Sequence, residues 1–303
     1  EHAHYAVTRA VAQLGLGMRR AVAVSSREWR MDTGALADTL DRLTREGTRV
    51  MAVVATAGST ATGSFDDLLA AATLCERHGI WLHVDGAHGA SALLSPTHRQ
   101  RLRGIERARS IAWDAHKMML MPLPAGMLLV RSESDLERTF AQRAPYLFHG
   151  SDDERVLDQG VRSFMCSRRA DAFKVWVALL RYGSDGLGAL YDHLCATTRA
   201  FHAQIAAHPD FEALHEPQSN ILCFHYTGLQ APPDPDARDV FTRELRERYN
   251  RSGRGWITST VLGRRRVLRV TLMNPRTTPA HTAALLEGLT EEAAGAAPWT
   301  VGL

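Results

Sequence analysis

Apolar positions in the first half of the chain form either short continuous runs or runs with a spacing of three to four residues. The continuous runs predict buried strands at 21–25, 50–55, 80–85, 110–113 and 126–131, and the spaced runs predict helices at 4–14, 33–45 and 65–78. Such alternation, with short turns, is typical of an α/β fold. We therefore expect a mostly parallel sheet that is covered by helices on both faces.

The pattern changes in the second half of the chain. A connecting helix is predicted at 163–182, and it is followed by helices at 187–207 and 238–249, strands at 220–226 and 267–273, and a last helix that begins at Pro279. This order predicts a smaller α+β domain packed on a larger one. We expect a large domain at 1–185 and a small domain at 186–303.

Composition narrows the class of protein. The 303 residues are 45% hydrophobic and carry a net charge of +3, with the arginines scattered, so nucleic acid is not an expected partner. Membrane insertion is not expected either, because no apolar run approaches the roughly 20 residues of a spanning helix. The four cysteines lack paired spacing, which predicts neither a metal site nor a disulfide framework, and favours the reduced cytoplasm.

Three predicted strands end in small, polar or reactive residues: Thr56 to Thr60, Asp85 to His88, and Asp114 to Lys117. Ligands of open α/β sheets bind at the carboxyl ends of the strands, so these segments are expected to converge on one rim. Lys117 offers an amine for the aldehyde of pyridoxal phosphate. A carboxylate such as Asp85 favours a protonated pyridine nitrogen, which lets the ring accept electrons.

The small residues after Asp85 point in the same direction. Gly86, Ala87, Gly89 and Ala90 follow the strand, and we expect them to let a flat ring approach the backbone closely. The sequence thus predicts a pyridoxal phosphate site at this rim.

The runs His-Val-Asp-Gly-Ala-His-Gly (83–89) and Asp-Ala-His-Lys (114–117) resemble motifs of fold-type I pyridoxal-phosphate enzymes, and within them the group II amino-acid decarboxylases. The resemblance extends from residue 4 to about residue 289. It implies a sheet of the seven-stranded type. It also implies that Asp85 is the pyridinium partner, Ala87 lies against the ring, Lys117 forms the Schiff base and His116 lies near the phosphate.

Further segments carry the resemblance. His4, in Ala-His-Tyr-Ala, matches the histidine that stacks on the cofactor ring, and Thr56 matches a threonine beside the cofactor's phenolic oxygen or a nearby carboxylate. Tyr146, in Pro-Tyr-Leu-Phe, matches the mobile-loop tyrosine that protonates the substrate's α carbon, a step in which His4 is an alternative assistant. Arg269, in an otherwise apolar strand, matches the arginine that binds the substrate's α-carboxylate.

The family's Gly/Ser-rich phosphate-binding turn has no counterpart in this sequence, and its side-chain pocket draws on the same region. The chain opens directly in a predicted helix, so we expect these segments to lie upstream of Glu1. The resemblance implies a decarboxylase that acts as a homodimer on an amino acid closer to the glutamate and diaminobutyrate branch than to the aromatic branch. An aldehyde synthase or a transaminase on the same scaffold, and a non-catalytic fragment, remain alternatives.

Overall fold

The computed structural model describes residues 1–140 and 159–295. In these ranges the helices are α1 (Tyr5–Gln13), α2 (Thr33–Arg45), α3 (Leu68–His78), α4 (Glu133–Phe140), α5 (Asp171–Ala207), α6 (Pro235–Arg251) and α7 (Pro279–Ala294). The strands are β1 (Ser26–Arg27), β2 (Arg30–Met31), β3 (Ala52–Thr56), β4 (Trp81–Asp85), β5 (Ser110–Asp114), β6 (Gly126–Val130), β7 (Phe211–Ala213), β8 (Ile221–Tyr226), β9 (Thr258–Leu262) and β10 (Arg265–Thr271).

Aspartates begin two of the helices that flank the first sheet. Asp32 accepts hydrogen bonds from the Gly34 and Ala35 amides and so starts α2 at its predicted position. Asp67 caps α3, which therefore begins three residues later than predicted. Gly79 ends α3 with a φ of 64°, a conformation that favours glycine. Local capping thus fixes where these helices begin and end.

The first sheet has the strand order β3-β4-β5-β6. Strands β3, β4 and β5 are parallel, and β6 pairs with β5 in the antiparallel sense. Its core contains buried side chains of α2, α3 and these strands, among them Leu36, Leu68 and Val84. The predicted α/β class with a mostly parallel sheet is confirmed, and the described residues supply four strands of a sheet expected to be of the seven-stranded type.

The second sheet is antiparallel and has the order β7-β8-β10-β9. Helices α6 and α7 pack on it through a separate core that includes Phe224, Phe241 and Leu286. Sequence patterns predicted β8 and β10 but missed β7 and β9. Strand β7 has three residues, and β9 alternates too weakly between apolar and polar positions to be recognised.

Helix α5 links the two cores and bends at Gly183, where φ is 65° and ψ is 176°. Tyr191 and Leu194 pack into the first core, whereas Phe201 packs into the second. A division of the chain at 185/186 falls inside this helix, close to the bend. The division into two domains stays a proposal, in which α5 contributes to the cores of both domains.

Two predicted elements are wrong. Residues 21–25 form no strand. The chain instead turns back through Glu28 and Trp29, both at positive φ, and forms the β1-β2 hairpin. Residues 163–170 are not helical, and α5 begins only at Asp171. Among the described helices, none combines the length and apolar character of a membrane span.

Candidate active site

The carboxyl ends of β3, β4 and β5 meet at one rim of the first sheet. Thr56 lies opposite Asp85, and Asp85 lies opposite Ala112, in the parallel register. The Asp114 amide donates to the Ala87 carbonyl at 3.1 Å, which joins the loop after β4 to the end of β5. The predicted convergence of the three segments is therefore observed.

Lys117 lies at this rim with its amine beside a carboxylate. Its Nζ is 3.1 Å from Asp114 Oδ2, and the lysine side chain retains 38% of its exposure. The sequence contains only one other lysine, Lys174, whose Nζ bonds to the carbonyls of Pro122 and Pro124 and to Asp171. Lys117 is therefore the lysine that could offer its amine to a ligand at this site.

His116, the neighbour of Lys117, is fixed by the backbone. Its Nδ1 accepts a hydrogen bond from the Ala125 amide at 3.1 Å, so Nε2 carries the proton of the neutral ring. That nitrogen lies 3.6 Å from Asp114 Oδ2. Asp114 thus faces both Lys117 and His116, and the local positive charge is partly balanced.

The Asp85 carboxylate is left open to a ligand. Within the described residues its only hydrogen bond comes from the Ala87 amide, at 3.2 Å, and no basic side chain forms an ion pair with it. Asp85 and Ala87 are both partly exposed. A carboxylate in this state can accept a hydrogen bond from a protonated ring nitrogen.

The glycines after Asp85 are closely packed by protein atoms. A Cβ on Gly86 would lie 2.9 Å from Ala90 Cβ, and a Cβ on Gly89 would lie 2.5 Å from the Ala57 carbonyl oxygen. These two positions are small because protein atoms approach them, so close packing explains Gly86 and Gly89. The approach of a ring to this segment stays a prediction. Among Gly86, Ala87, Gly89 and Ala90, only Ala87 is not fully buried.

Thr56 is fixed by its backbone. The Thr56 amide donates to Asp66 Oδ2 at 2.7 Å, and its carbonyl accepts from the Asp66 amide at 2.9 Å. Burial raises the pKa of Asp66, while the bonds from the Met31 and Thr56 amides oppose that shift. In the described part of the chain the Thr56 hydroxyl makes no hydrogen bond, which leaves it free for a ligand.

Arg269 projects from β10 towards the loop after β3. Its Nε donates to the Ala61 carbonyl at 3.1 Å, and the structure describes no carboxylate in an ion pair with its guanidinium. Burial lowers the pKa of Arg269. A largely buried arginine without an anionic partner favours the binding of an external carboxylate.

Two predicted residues are not joined to this cluster. His4 caps α1 by accepting from the Ala6 amide, and its ring lies 4.1 Å from that of Tyr5. No hydrogen bond, ion pair or ring contact between described residues links His4 to Lys117 or Asp85. Tyr146 lies outside the described residues.

Sequence reasoning missed the contact between His88 and Asn220. His88 Nε2 lies 2.7 Å from Asn220 Oδ1, across 132 positions of the chain. Burial lowers the pKa of His88 to about 4, and the charges of Lys117 and Arg269 act in the same direction. His88 stands in the motif after β4, but nothing in the sequence indicates that Asn220 is its partner.

The donor set at the rim fits pyridoxal phosphate. It combines one available amine, an open carboxylate on the adjacent strand and a free hydroxyl, which match the aldehyde, the ring nitrogen and the polar substituents of the cofactor. A cavity of about 860 Å³ lies elsewhere, between the second sheet and α7, and includes Arg269 but neither Lys117 nor Asp85 in its lining. The rim is therefore the better candidate site. No group of three or more potential metal ligands occurs in the described ranges.

Comparison with known proteins gives one consistent result. The family description "Pyridoxal-dependent decarboxylase conserved domain" matches residues 1–227. The acidic amino acid decarboxylase GADL1 of Xenopus tropicalis is 39% identical over 229 residues, which cover 75% of this chain and 45% of that protein. The L-2,4-diaminobutyrate decarboxylase of Rhizobium meliloti (strain 1021) is 35% identical over 299 residues, 96% of this chain and 58% of that protein.

The fold resembles that of solved structures, among them mouse CSAD. The crystal structure of mouse CSAD superposes with a TM-score of 0.90 and 33% identity, and the match covers 97% of this chain and 63% of that one. The chain spans about half the length of the two curated relatives, 45% and 58%.

Proposed function

We propose that this chain, which belongs to the pyridoxal-dependent decarboxylase family, uses pyridoxal phosphate to remove the α-carboxylate of an L-amino acid as carbon dioxide and so forms the amine. The observation that carries the proposal is the convergence of Lys117 and Asp85. Asp85 is the last residue of β4, and Lys117 lies in the loop after the adjacent strand β5. The hydrogen bond from the Asp114 amide to the Ala87 carbonyl joins the ends of these two strands. An amine and a carboxylate in this arrangement match the two ends of the pyridoxal ring.

The proposed roles combine the observed states of Lys117, Asp85 and Thr56 with the family resemblance, on which the roles of Ala87, His116 and His4 rest. Lys117 would hold the cofactor aldehyde, and Asp85 would keep the proton on the ring nitrogen. The Thr56 hydroxyl would donate or accept a hydrogen bond at a polar substituent of the ring. Ala87 would lie against the ring, His116 near the phosphate, and His4 over the ring face. When bound, the cofactor supplies an acceptor for the electron pair that is released as the bond to the carboxyl carbon breaks.

Arg269 would bind and orient the substrate's α-carboxylate. Its guanidinium lacks an anionic partner in the described part of the chain, so a bidentate carboxylate would satisfy donors that are otherwise unpaired. Tyr146, or alternatively His4, would deliver the proton that replaces carbon dioxide on the α carbon. A phenol can do this because it holds its proton at neutral pH and can release it to a strongly basic carbon.

For the substrate we propose an acidic amino acid or 2,4-diaminobutyrate rather than an aromatic amino acid. The support is the similarity to relatives named for acidic amino acids and for L-2,4-diaminobutyrate. Carbon dioxide release from L-glutamate, L-2,4-diaminobutyrate, cysteine sulfinic acid and L-tryptophan, measured side by side, tests the choice. Preference for tryptophan would contradict it.

We also propose that the protein acts as a homodimer in the cytoplasm. Support for the dimer comes from α5, where Phe173, Trp176, Leu180 and Tyr182 are each more than half exposed. Surfaces of this kind are typical of subunit interfaces. Four free cysteines, three of them buried, suit a reducing compartment. Sedimentation equilibrium tests the dimer, and a mass equal to one chain would refute it.

Lysine labelling tests the proposed function directly. The purified chain is incubated with pyridoxal phosphate, reduced with borohydride and digested, and the pyridoxyl group is expected on the peptide that contains Lys117. Lys117→Ala should abolish the label. The matched control Lys174→Ala should retain it, because the Lys174 amine is already hydrogen-bonded to two carbonyls and paired with Asp171. An unlabelled Lys117, or label on Lys174 alone, would refute the assignment.

The same preparation separates the alternatives. A non-catalytic fragment would show no cofactor absorbance after dialysis and no labelled lysine. An aldehyde synthase would take up oxygen in step with carbon dioxide release, and a transaminase would form a keto acid without releasing carbon dioxide. The decarboxylase is expected to release carbon dioxide and amine in equal amounts, with no oxygen uptake.

A further inference from the structure

The His88–Asn220 hydrogen bond joins the two sheets where the candidate site lies. His88 lies in the loop after β4, three residues beyond Asp85, which ends that strand, and Asn220 immediately precedes β8. The donor and acceptor can be assigned from the rest of the network. Asn220 Nδ2 donates to the Leu272 carbonyl at 3.1 Å, so Oδ1 is the acceptor that faces His88. His88 therefore donates through Nε2.

Asn220 carries this contact to the strand of Arg269. It is fully buried, and its carbonyl accepts from the Leu272 amide at 2.9 Å. Leu272 lies just beyond the end of β10, three positions after Arg269. A displacement of His88 would therefore be transmitted through Asn220 to the end of the strand that presents the guanidinium.

On its other side, His88 is fixed to the loops of the first sheet. Ala87, the preceding residue, accepts from the Asp114 amide at 3.1 Å, and Gly89, the following residue, donates to the Ala57 carbonyl at 3.0 Å. Asp114 in turn pairs with Lys117. The backbone on either side of His88 thus joins the loops after β3 and β4 to the end of β5, and the His88 imidazole joins this assembly to the β8-β10 pair.

The imidazole suits this position because it stays neutral. Burial lowers the pKa of His88 to about 4, the hydrogen bond to Asn220 opposes that effect, and the charges that act on the ring are those of Lys117, Arg269 and Asp114. At neutral pH the ring therefore donates through Nε2–H without adding a third cation between Lys117 and Arg269. A protonated side chain here would repel both.

We propose that His88 is a positioning residue that, through Asn220, fixes the strand carrying Arg269 against the loop carrying Lys117. It sets the spacing between the carboxylate-binding group and the cofactor-binding amine without touching the reacting atoms. The inference rests on the proposed function for its kinetic consequence, but the mechanical coupling can be measured in the chain alone.

The first measurement is amide hydrogen exchange in the cofactor-free chain. His88→Phe removes the donor and keeps an aromatic ring, whereas His88→Gln places an amide N–H close to the position of Nε2. In His88→Phe, exchange should accelerate at both Leu272 and Asp114, and His88→Gln should restore both. The Leu36 amide, which bonds to the Asp32 carbonyl in α2, is the control and should not change. Acceleration at Leu272 alone, or no rescue by glutamine, overturns the proposal.

The second measurement is kinetic and uses the cofactor-loaded enzyme. His88→Phe should raise KM about five- to tenfold, the equivalent of one lost hydrogen bond, with kcat within about twofold, and His88→Gln should recover most of the change. Borohydride labelling of Lys117 should be unaffected. Equal KM in all three proteins overturns the positioning role while leaving the proposed function intact. Absence of labelling in the unmodified chain refutes the proposed function instead, and the exchange experiment still decides the coupling.

Discussion

Replacing Arg269 by methionine should separate ligand binding from stability. The guanidinium is largely buried, donates one hydrogen bond to the Ala61 carbonyl and has no anionic partner in the described residues. The same carbonyl also accepts from Cys223 Sγ at 3.2 Å, so it stays hydrogen-bonded when the arginine is removed. Methionine keeps most of the apolar stem. The fold therefore loses one hydrogen bond and is relieved of a desolvated charge.

The two effects differ in size. The lost Nε bond costs about 1 kcal/mol of folding free energy, and the removal of an uncompensated buried cation offsets part or all of it. The substrate carboxylate, in contrast, would lose two charge-assisted hydrogen bonds worth about 1.5–3 kcal/mol each. That sum corresponds to about 10²- to 10⁴-fold weaker binding. The substrate affinity of Arg269→Lys should lie between those of the unmodified protein and of Arg269→Met. Lysine keeps the positive charge but cannot form the two parallel hydrogen bonds of a guanidinium.

Substrate affinity is measured by absorbance titration of the cofactor-loaded protein, and stability by thermal unfolding of the same samples. The matched control is Arg265→Met, on the same strand, where the side chain is exposed and pairs with Asp236. We expect Arg269→Met to lower affinity at least a hundredfold with a Tm within about 4 °C of the unmodified protein, and Arg265→Met to keep full affinity. An affinity change of less than threefold, or a fall in Tm of 10 °C or more, would refute the reasoning.

Two further predictions concern the other proposed residues. Asp85→Ala should reduce carbon dioxide release far more than Asp85→Glu, because only a carboxylate keeps the ring nitrogen protonated; equal losses in initial-rate assays would count against that role. Tyr146→Phe should slow amine formation while substrate binding, followed by absorbance, stays within about threefold. Dissolved oxygen should then be consumed as the oxidant, and the product should shift towards aldehyde, ammonia and peroxide. If the unmodified protein already consumes oxygen in step with carbon dioxide release, the aldehyde synthase reading replaces the decarboxylase.

Elements with strong local signals were predictable from the sequence. Helix α2 spans the predicted residues because Asp32 caps it and its apolar positions have helical spacing. Strand β4 ends at Asp85 as predicted, since a continuous apolar run is followed by small residues. Because parallel strands present their carboxyl ends at one edge, the meeting of Thr56, Asp85 and the Lys117 loop also followed from the sequence.

Contacts between distant segments were not predictable. Gly86 and Gly89 suggested room for a ligand, but their small size serves close approach of Ala90 and of the Ala57 carbonyl, which only the folded backbone reveals. The pairing of His88 with Asn220 joins positions that no local pattern relates. Likewise, Asp114 is recognisable as an acidic residue near Lys117, but its direction towards the amine depends on the turn after β5.

The distribution of satisfied and unsatisfied charges indicates what the site is built to bind. Lys117 is balanced by Asp114, whereas Asp85 and Arg269 each lack an ionic partner in the described ranges. Keeping Arg269 largely buried without an anion costs stability, and the partly exposed Asp85 is open to a cation, so the two groups together favour ligands that supply the missing charges. The required ligands are a cation facing Asp85 and an anion facing Arg269. A pyridinium nitrogen and an amino-acid carboxylate supply these two charges, which is why the geometry supports a cofactor and its substrate together rather than either alone.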